Sequence, residues 1–145
     1  MRISPKSLVL VGAQLLCLAY LLVSGPWFAS LEWVGLEIVG LYLGAWAIYT
    51  MKLRNLRIAP EVARGARLVT TGPYRFIRHP MYSAVLLITV SLVLSRFTVA
   101  RLTIWTMLSA VFLAKLQHEE VLLAKRFWEY TTYQRRTKRL VPFVF

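Results

Sequence analysis

Two short polar clusters, separated by two apolar segments, carry the side chains of this chain that could do chemistry. The first cluster covers residues 72–82 and combines arginine, histidine and tyrosine with two prolines. The second is the run His118-Glu119-Glu120. Polar groups held at membrane depth or at its edge are costly, so clusters beside apolar segments are candidates for function.

The first cluster is predicted to be a shaped loop with a surplus of positive charge. Pro73 and Pro80 fix backbone turns and interrupt helical hydrogen bonding. Between these prolines, Arg75, Arg78 and His79 could receive an anionic group of a ligand. The competing interpretation is an interfacial basic loop with aromatic anchors, which composition alone favours.

Aromatic and acidic side chains complete the set. Tyr74 and Tyr82 offer rings and hydroxyl groups, while Glu119 and Glu120 could accept hydrogen bonds from a sugar diol or pair with an ammonium group. A small ligand that carries a carboxylate, an ammonium group, a ribose and an aromatic ring would suit these residues.

A zinc site is the alternative chemistry. His79, His118, Glu119 and Glu120 could supply imidazole and carboxylate ligands to zinc, as in a membrane hydrolase. The chain has no His-Glu-x-x-His motif, and His79 follows an arginine, whose charge repels a cation. No metal ligands are therefore assigned.

Composition predicts a membrane protein, because 58% of the residues are hydrophobic and only 17% are charged. A helix needs about 20 residues to cross the hydrocarbon, and the last two apolar segments have about 15 each, typical of a short hairpin. The predicted fold class is all-α, an integral membrane bundle of about four transmembrane helices, with a C-terminal hairpin and an amphipathic cytoplasmic tail helix over residues 121–133. The apolar segments cover residues 7–23, 31–51, 81–95 and 102–116.

The 145 residues are expected to form one domain. Residues 1–51 would hold the two N-terminal helices, and residues 52–145 the connecting loop, the hairpin and the tail. Within the helices, Gly40 and Gly44 form a small-xxx-small pattern that permits close helix contact. Glu37 is expected to be a helix-end residue that faces an aqueous vestibule, with a polar group on the substrate side as the alternative. Cys17 is expected to be a small buried hydrophobe.

The net charge of +12 predicts the orientation. Basic residues concentrate in the connection after the second segment and in the tail, whereas residues 24–30 contain none. Both termini and the candidate site are therefore expected on the cytoplasmic side of the cell (inner) membrane. Arg96 and Arg101, at the opposite end, are expected to snorkel to the headgroups. Attraction to anionic lipids explains the charge without a nucleic-acid partner.

The predicted hairpin makes one site from the two clusters. The chain leaves the cytoplasmic face just after His79 and returns to it near Glu119, although forty residues separate the two in sequence. Because the two helices have similar lengths, we expect these side chains to lie close together.

The ordered combination of motifs resembles the superfamily of isoprenylcysteine carboxyl methyltransferases and phospholipid methyltransferases. These are integral membrane enzymes that use S-adenosylmethionine. The resemblance covers residues 68–142, and its individual motifs are too short to be specific alone. The matching residues are Gly72-Pro73-Tyr74, Arg78-His79-Pro80-x-Tyr82, Glu119-Glu120, Phe127, Tyr130, Tyr133, Arg139 and Pro142.

The resemblance implies two sets of site residues. The cofactor set is Arg67, Leu68, Val69, Tyr74, His79, Pro80, Met81, Tyr82 and Glu119. The catalytic set is Lys115, Glu120 and Arg78. Lys115 stands where relatives that act on prenylcysteine carry a substrate-facing arginine. A lysine keeps the charge but loses the bidentate fork, so this departure concerns the acceptor more than the cofactor.

The implied function is methyl transfer from S-adenosylmethionine to a lipophilic acceptor at the cytoplasmic face. The acceptor class is left open between an isoprenylcysteine-type carboxylate and a phospholipid amine. The expected partners are the membrane and this lipophilic or lipid substrate, with the oligomeric state open. A non-catalytic scaffold or transporter subunit is the other alternative, but it leaves His79 and Glu119 without a role.

Overall fold

The computed structural model describes residues 4–51 and 68–142, and these residues form an all-helical membrane bundle. The predicted fold class is confirmed. The described residues contain no β-strand, although one isolated parallel bridge pairs Ile77 with Lys138. The helices are α1 (Pro5–Val23), α2 (Val34–Met51), α3 (Pro80–Ser95), α4 (Val99–Arg126) and α5 (Tyr130–Arg136), with a 3-10 turn at Gly72–Arg75 before α3.

Three of the described helices, α1, α2 and α4, are long and apolar enough to cross a membrane, and α3 is a shorter apolar helix of 16 residues. Helix α2 packs mainly against α3, and α1 packs mainly against α4. The core joins α1, α3 and α4 through Leu21, Val93 and Phe112, none of which is exposed. Cys17 is also buried there, as predicted.

Helix α4 is longer than the fourth apolar segment at both ends. Helix α4 does not stop near residue 116 but continues to Arg126, where the backbone turns into an extended conformation at Phe127. His118, Glu119 and Glu120 are thus part of α4. The predicted tail helix over residues 121–133 is instead the last turns of α4 and the seven-residue α5. Charged residues marked the edge of the apolar segment, but they do not end a helix.

Gly40 brings α2 into close contact with α3. A Cβ atom at this position would stand 2.8 Å from Ile88 Cγ1 and 3.0 Å from the carbonyl oxygen of Ala84. Gly44, one turn later, faces Ala84 as well. The small-xxx-small pattern therefore packs two helices of the same chain, as expected for residues that let backbones approach in a membrane.

The prediction that Arg101 snorkels to the headgroups is wrong. Its side chain is 1% exposed, and Nη1 donates to the Leu21 carbonyl oxygen at 3.1 Å and to Ser24 Oγ at 2.9 Å. Nη2 donates to the Leu92 carbonyl oxygen at 2.9 Å. These acceptors lie at the C-terminal ends of α1 and α3, where helix carbonyls attract a cation. Arg96, by contrast, is exposed.

Glu37 also departs from its prediction, because it does not face an aqueous vestibule. Its side chain is buried, and Oε2 accepts a hydrogen bond of 2.7 Å from the backbone N–H of Ala29. The carboxylate therefore fixes the loop between α1 and α2 to the first turn of α2, where a negative charge is favourable.

Gly40→Ala should destabilise the bundle. Alanine gains helix propensity, but its methyl group would overpack the α2–α3 contact by about 1–3 kcal/mol. We expect a lower apparent melting temperature in detergent for Gly40→Ala. Gly12→Ala is the matched control, because a Cβ atom on Gly12 of α1 meets nothing within 4 Å. Equal melting temperatures for the two variants would contradict the close contact.

Candidate functional site

A tight turn delivers the first polar cluster to the start of α3. Gly72 has a φ of 59°, and a Cβ atom there would also strike the side chain of Thr50 on α2. Only glycine adopts this left-handed conformation without a steric cost. Pro80 then occupies the first turn of α3, a position that needs no backbone N–H. His79 is thereby fixed at the N-terminal end of α3.

The C-terminal tail is hydrogen-bonded to this turn through backbone groups. Lys138 N donates to the Phe76 carbonyl oxygen at 3.1 Å, and Arg78 N donates to the Lys138 carbonyl oxygen at 2.7 Å. His79 N donates to the Arg139 carbonyl oxygen at 3.0 Å. The tail therefore continues the backbone network of the loop that holds His79.

Two side-chain contacts extend this attachment at either end. The Tyr133 hydroxyl donates to the Tyr74 carbonyl oxygen at 2.6 Å, and Ser83 Oγ donates to the Leu140 carbonyl oxygen at 2.6 Å. Residues 133–140 are thus held against the 3-10 turn and the first turn of α3.

Glu120 joins α4 to both the loop and the tail. Arg78 Nε donates to Glu120 Oε1 at 2.7 Å, and the side chains of this pair are only 8% and 6% exposed. Arg139 Nε donates to Glu120 Oε2 at 3.3 Å. Arg78 Nη1 also donates to the carbonyl oxygen of Thr137. Such a buried pair tolerates the loss of either partner poorly, because the remaining charge stays buried.

His79 lies between the two glutamates of α4. Its Nε2 is 3.3 Å from Glu120 Oε1, and its Nδ1 is 3.7 Å from Glu119 Oε2. The Tyr82 hydroxyl donates to Glu119 Oε2 at 3.0 Å. The predicted proximity of His79 and Glu119 is therefore confirmed. The Glu119 side chain is 29% exposed, so its carboxylate is open to a further partner.

A stack of rings leads from this cluster into the bundle. The His79 and Tyr82 rings are nearly parallel with centroids 5.5 Å apart, and the Tyr82 and Phe112 rings are 4.8 Å apart. Lys115 Nζ lies 5.5 Å from the centroid of the Tyr82 ring and donates to Gln14 Oε1 on α1. Lys115 is 1% exposed, and it precedes Glu119 by about one helical turn.

Two tyrosine hydroxyls near the glutamates have no hydrogen-bond partner within residues 4–51 and 68–142. These buried atoms are the hydroxyl oxygens of Tyr74 and Tyr130. Burial, reinforced by the charge of Glu119, raises the pKa of Tyr74. Burial raises the pKa of Tyr130 as well, and the charge of Glu120 adds to this effect. Both groups therefore stay protonated and able to donate to a ligand.

A cavity of about 540 Å3 opens between the loop and the tail. This volume is in the range of small-molecule sites. Its lining combines guanidinium, hydroxyl and aromatic groups with the Leu68 side chain, and consists of Leu68, Thr70, Arg75, Trp128, Glu129, Thr132, Tyr133, Arg136 and Thr137.

The structure brings half of the twelve predicted site residues together through side-chain contacts. They are Arg78, His79, Tyr82, Lys115, Glu119 and Glu120, joined by the contacts above. Pro80 and Met81 form the first turn of α3 beside them, and Leu68 and Val69 lead into the 3-10 turn. Arg67 lies outside the described residues. Within those residues, no group of three His, Cys or Glu side chains could hold a metal ion.

Gln14 was missed by the sequence analysis, although a lone amide amid the apolar residues of α1 was a usable signal.

Residues 33–125, more than half of the chain, match the model of the isoprenylcysteine carboxyl methyltransferase (ICMT) family. The chain belongs to this family. No curated protein matches it.

Membership of the isoprenylcysteine carboxyl methyltransferase family makes the protein a membrane methyltransferase. The matched residues include His79, Tyr82, Lys115 and both glutamates of α4, whereas α1 and the tail lie outside the match.

Glu120→Gln should weaken the attachment of the C-terminal tail to α4. An amide has a single acceptor oxygen and no charge, so the bonds from Arg78 and Arg139 cannot both be kept, a loss of about 1–3 kcal/mol. We expect faster tryptic cleavage after Arg135 and Arg136, measured by limited proteolysis in detergent. Glu129→Gln is the matched control, since Glu129 is exposed in the same tail. Equal cleavage rates would show that Glu120 does not hold the tail.

Proposed function

We propose that this methyltransferase uses S-adenosylmethionine and that its acceptor is a carboxylate on a lipophilic molecule. The observation that supports this most is the adjacency of two unlike groups on α4. A partly exposed carboxylate, Glu119, and a buried ammonium, Lys115, lie one turn apart and both contact Tyr82. The first suits the cationic parts of a cofactor, and the second suits an anionic acceptor.

The described residues fit S-adenosylmethionine. Glu119 can accept hydrogen bonds from the cofactor's ammonium group or ribose. The Tyr74 hydroxyl, which has no partner among the residues that the structure describes, can donate to the cofactor. The residues that would hold the cofactor are Arg67, Leu68, Val69, Tyr74, His79, Pro80, Met81, Tyr82 and Glu119. When bound, S-adenosylmethionine supplies a methyl group already activated by its positively charged sulfur.

Because the methyl group is already activated, the main task of the protein is to position the acceptor relative to the cofactor. A carboxylate oxygen is deprotonated at neutral pH, so it can attack a methyl group without a general base. The ring stack of His79, Tyr82 and Phe112 gives one wall of the site a fixed orientation. Reactants held in a fixed orientation by such a wall can have a barrier to methyl transfer that is lower by several kcal/mol. Glu120 contacts the His79 ring and is itself held by Arg78, so these two residues fix the position of the imidazole.

Lys115 favours the carboxylate over the phospholipid amine as the acceptor. A phospholipid amine is protonated at neutral pH, and a buried ammonium repels it. An anionic group would instead gain a charge-assisted hydrogen bond from Nζ. The apolar part of the acceptor would reach this position from the bilayer, between the helices.

We also propose that the site faces the cytoplasm, since the basic residues concentrate on its side of the bundle. Arg136→Cys and Trp27→Cys, each on a Cys17→Ala background, test this with a membrane-impermeant maleimide. Both side chains are exposed. Trp27→Cys should react in intact cells, and Arg136→Cys only after permeabilisation. The reverse pattern would invert the orientation.

Glu119→Gln should weaken the binding of S-adenosylmethionine and of its demethylated product. The loss of a charged hydrogen bond is worth about 1–3 kcal/mol, or roughly a five- to 150-fold rise in Kd. Isothermal titration of the purified protein in detergent, without added metal, measures this.

Glu32→Gln is the control, because Glu32 is exposed in the loop before α2 and distant in sequence from the clusters. Wild-type protein that fails to bind the cofactor at millimolar concentration would refute the cofactor assignment and favour a scaffold. Zinc in the purified protein, together with such a failure, would favour the hydrolase.

A further inference from the structure

The cavity of about 540 Å3 between the loop and the tail has no part in the proposed methyl transfer. Its walls come from two segments, residues 68–75 before α3 and residues 128–137 in the tail. Among the described lining residues, only Leu68 belongs to the predicted cofactor set, and none belongs to the catalytic set. The cavity is therefore a candidate site for a second ligand.

Helix α5 turns one side to this cavity and another to the glutamates of α4. Glu129, Thr132 and Arg136 follow one another at spacings of three and four residues, so they share one side of the helix, and all three line the cavity. Gln134 lies on the opposite side, where its Nε2 donates to Glu120 Oε2 at 3.5 Å. The cavity is thus on the side of α5 that faces away from Glu120.

Guanidinium and hydroxyl groups line the cavity from both of its walls. Arg75 and Thr70 belong to the loop, whereas Arg136 and Thr132 belong to α5. All four residues are exposed, and no hydrogen bond within residues 4–51 and 68–142 uses their side chains. A guanidinium presents a fork of N–H donors that matches two oxygens of a phosphate, and a hydroxyl adds one further donor. This donor set suits a phosphate group.

The charge of the lining also favours a phosphate, even though one carboxylate is present. Among the described lining residues, two guanidinium groups stand against the single carboxylate of Glu129, which leaves a net charge of +1. A phosphate monoester carries more negative charge than a carboxylate, so it gains more from two guanidinium groups than it loses to one carboxylate. Leu68 and the exposed Trp128 ring add apolar surface, which suits a phosphate attached to an organic group.

We propose that this cavity binds the phosphate group of a phosphate monoester. Arg75 and Arg136 contact the phosphate from opposite walls, and Thr70 and Thr132 donate additional hydrogen bonds. The monoester can be a lipid headgroup or a soluble compound, since both present the same phosphate. The inference goes beyond the proposed methyl transfer and does not rest on it, because it needs neither S-adenosylmethionine nor a residue of the catalytic set.

Two esters with the same phosphate group test the site and distinguish the two sources. One is glycerol 3-phosphate, which is soluble, and the other is dihexanoyl phosphatidic acid, in which glycerol phosphate carries short acyl chains. Dihexanoylglycerol, which has the acyl chains without the phosphate, is the negative control. Each compound is titrated calorimetrically into full-length protein in a non-ionic detergent, and S-adenosylhomocysteine is titrated in parallel.

Neighbouring arginines of α5 provide a matched pair of variants. Arg136→Gln and Arg135→Gln remove the same charge from adjacent exposed positions, but only Arg136 lines the cavity. Arg75→Gln removes the guanidinium of the other wall, and Glu129→Gln removes the carboxylate. Because all four side chains are exposed, the variants should keep the fold, and equal melting temperatures check this.

Wild-type protein and Arg135→Gln should bind glycerol 3-phosphate with similar affinity. Arg75→Gln and Arg136→Gln should each bind it at least about tenfold more weakly, because each loses a charge-assisted hydrogen bond. Glu129→Gln should bind it more tightly, because a like charge is removed. Tighter binding of dihexanoyl phosphatidic acid than of glycerol 3-phosphate supports a lipid headgroup as the ligand, and equal binding supports a soluble ester. The affinity for S-adenosylhomocysteine should be the same in all five proteins.

The proposal is overturned if the wild type binds neither ester at millimolar concentration, or if Arg135→Gln weakens binding as much as Arg136→Gln does. Dihexanoylglycerol binding as tightly as dihexanoyl phosphatidic acid would also overturn it. Loss of S-adenosylhomocysteine binding together with ester binding in the cavity variants would assign the cavity to the cofactor and overturn the separate site. Failure of S-adenosylhomocysteine to bind the wild type, with ester binding as expected, would support the phosphate site and refute only the cofactor assignment.

Discussion

The Glu120 carboxylate is the point on which the rest of the site depends. It is buried, and its partners come from two other segments, namely Arg78 and His79 from the loop before α3 and Arg139 from the tail. Three segments distant in sequence therefore meet at one carboxylate group. Without the negative charge, the buried guanidinium of Arg78 would lose its counter-charge, and the partly exposed guanidinium of Arg139 would repel it. The need for a negative charge at Glu120 therefore fixes the tail, the loop and α4 relative to one another.

Adjacent glutamates on α4 have different surroundings. Glu120 has two arginine partners and is closed to solvent, whereas Glu119 meets a tyrosine hydroxyl and remains partly exposed. His79 separates them, with one ring nitrogen toward each carboxylate. Consecutive residues of a helix differ by about 100° in direction, so one of the pair can maintain the architecture while the other faces a ligand. The imidazole links the two, and a disturbance of Glu120 would reach the ligand side through the ring.

Patterns in the sequence predicted the features that depend on local chain properties. Apolar runs located the four main helices, Pro80 marked the start of α3, and the similar lengths of the two apolar segments predicted that His79 and Glu119 are close. The residues that were misjudged or missed have partners in other segments of the chain. Arg101 was predicted to reach the headgroups because it lies at a helix end, but it binds carbonyls of α1 and α3. Glu37 accepts from the backbone of a preceding loop, and Gln14 meets Lys115 across more than 100 residues. Such pairings depend on three-dimensional proximity, which hydropathy does not encode.

Two basic side chains make the insertion of α4 into the membrane energetically costly. Among the described residues, α4 follows the other apolar helices in sequence, and it must enter the bilayer with Arg101 and Lys115 on its surface. A charged side chain costs about 2.5–3.5 kcal/mol at the centre of an isolated inserting helix and less toward its ends. The acceptors that relieve this cost, the Leu21 and Leu92 carbonyls and the Gln14 amide, belong to helices that leave the ribosome earlier. The order of synthesis therefore supplies the partners before the charges arrive, and α4 can insert against neighbours already in place.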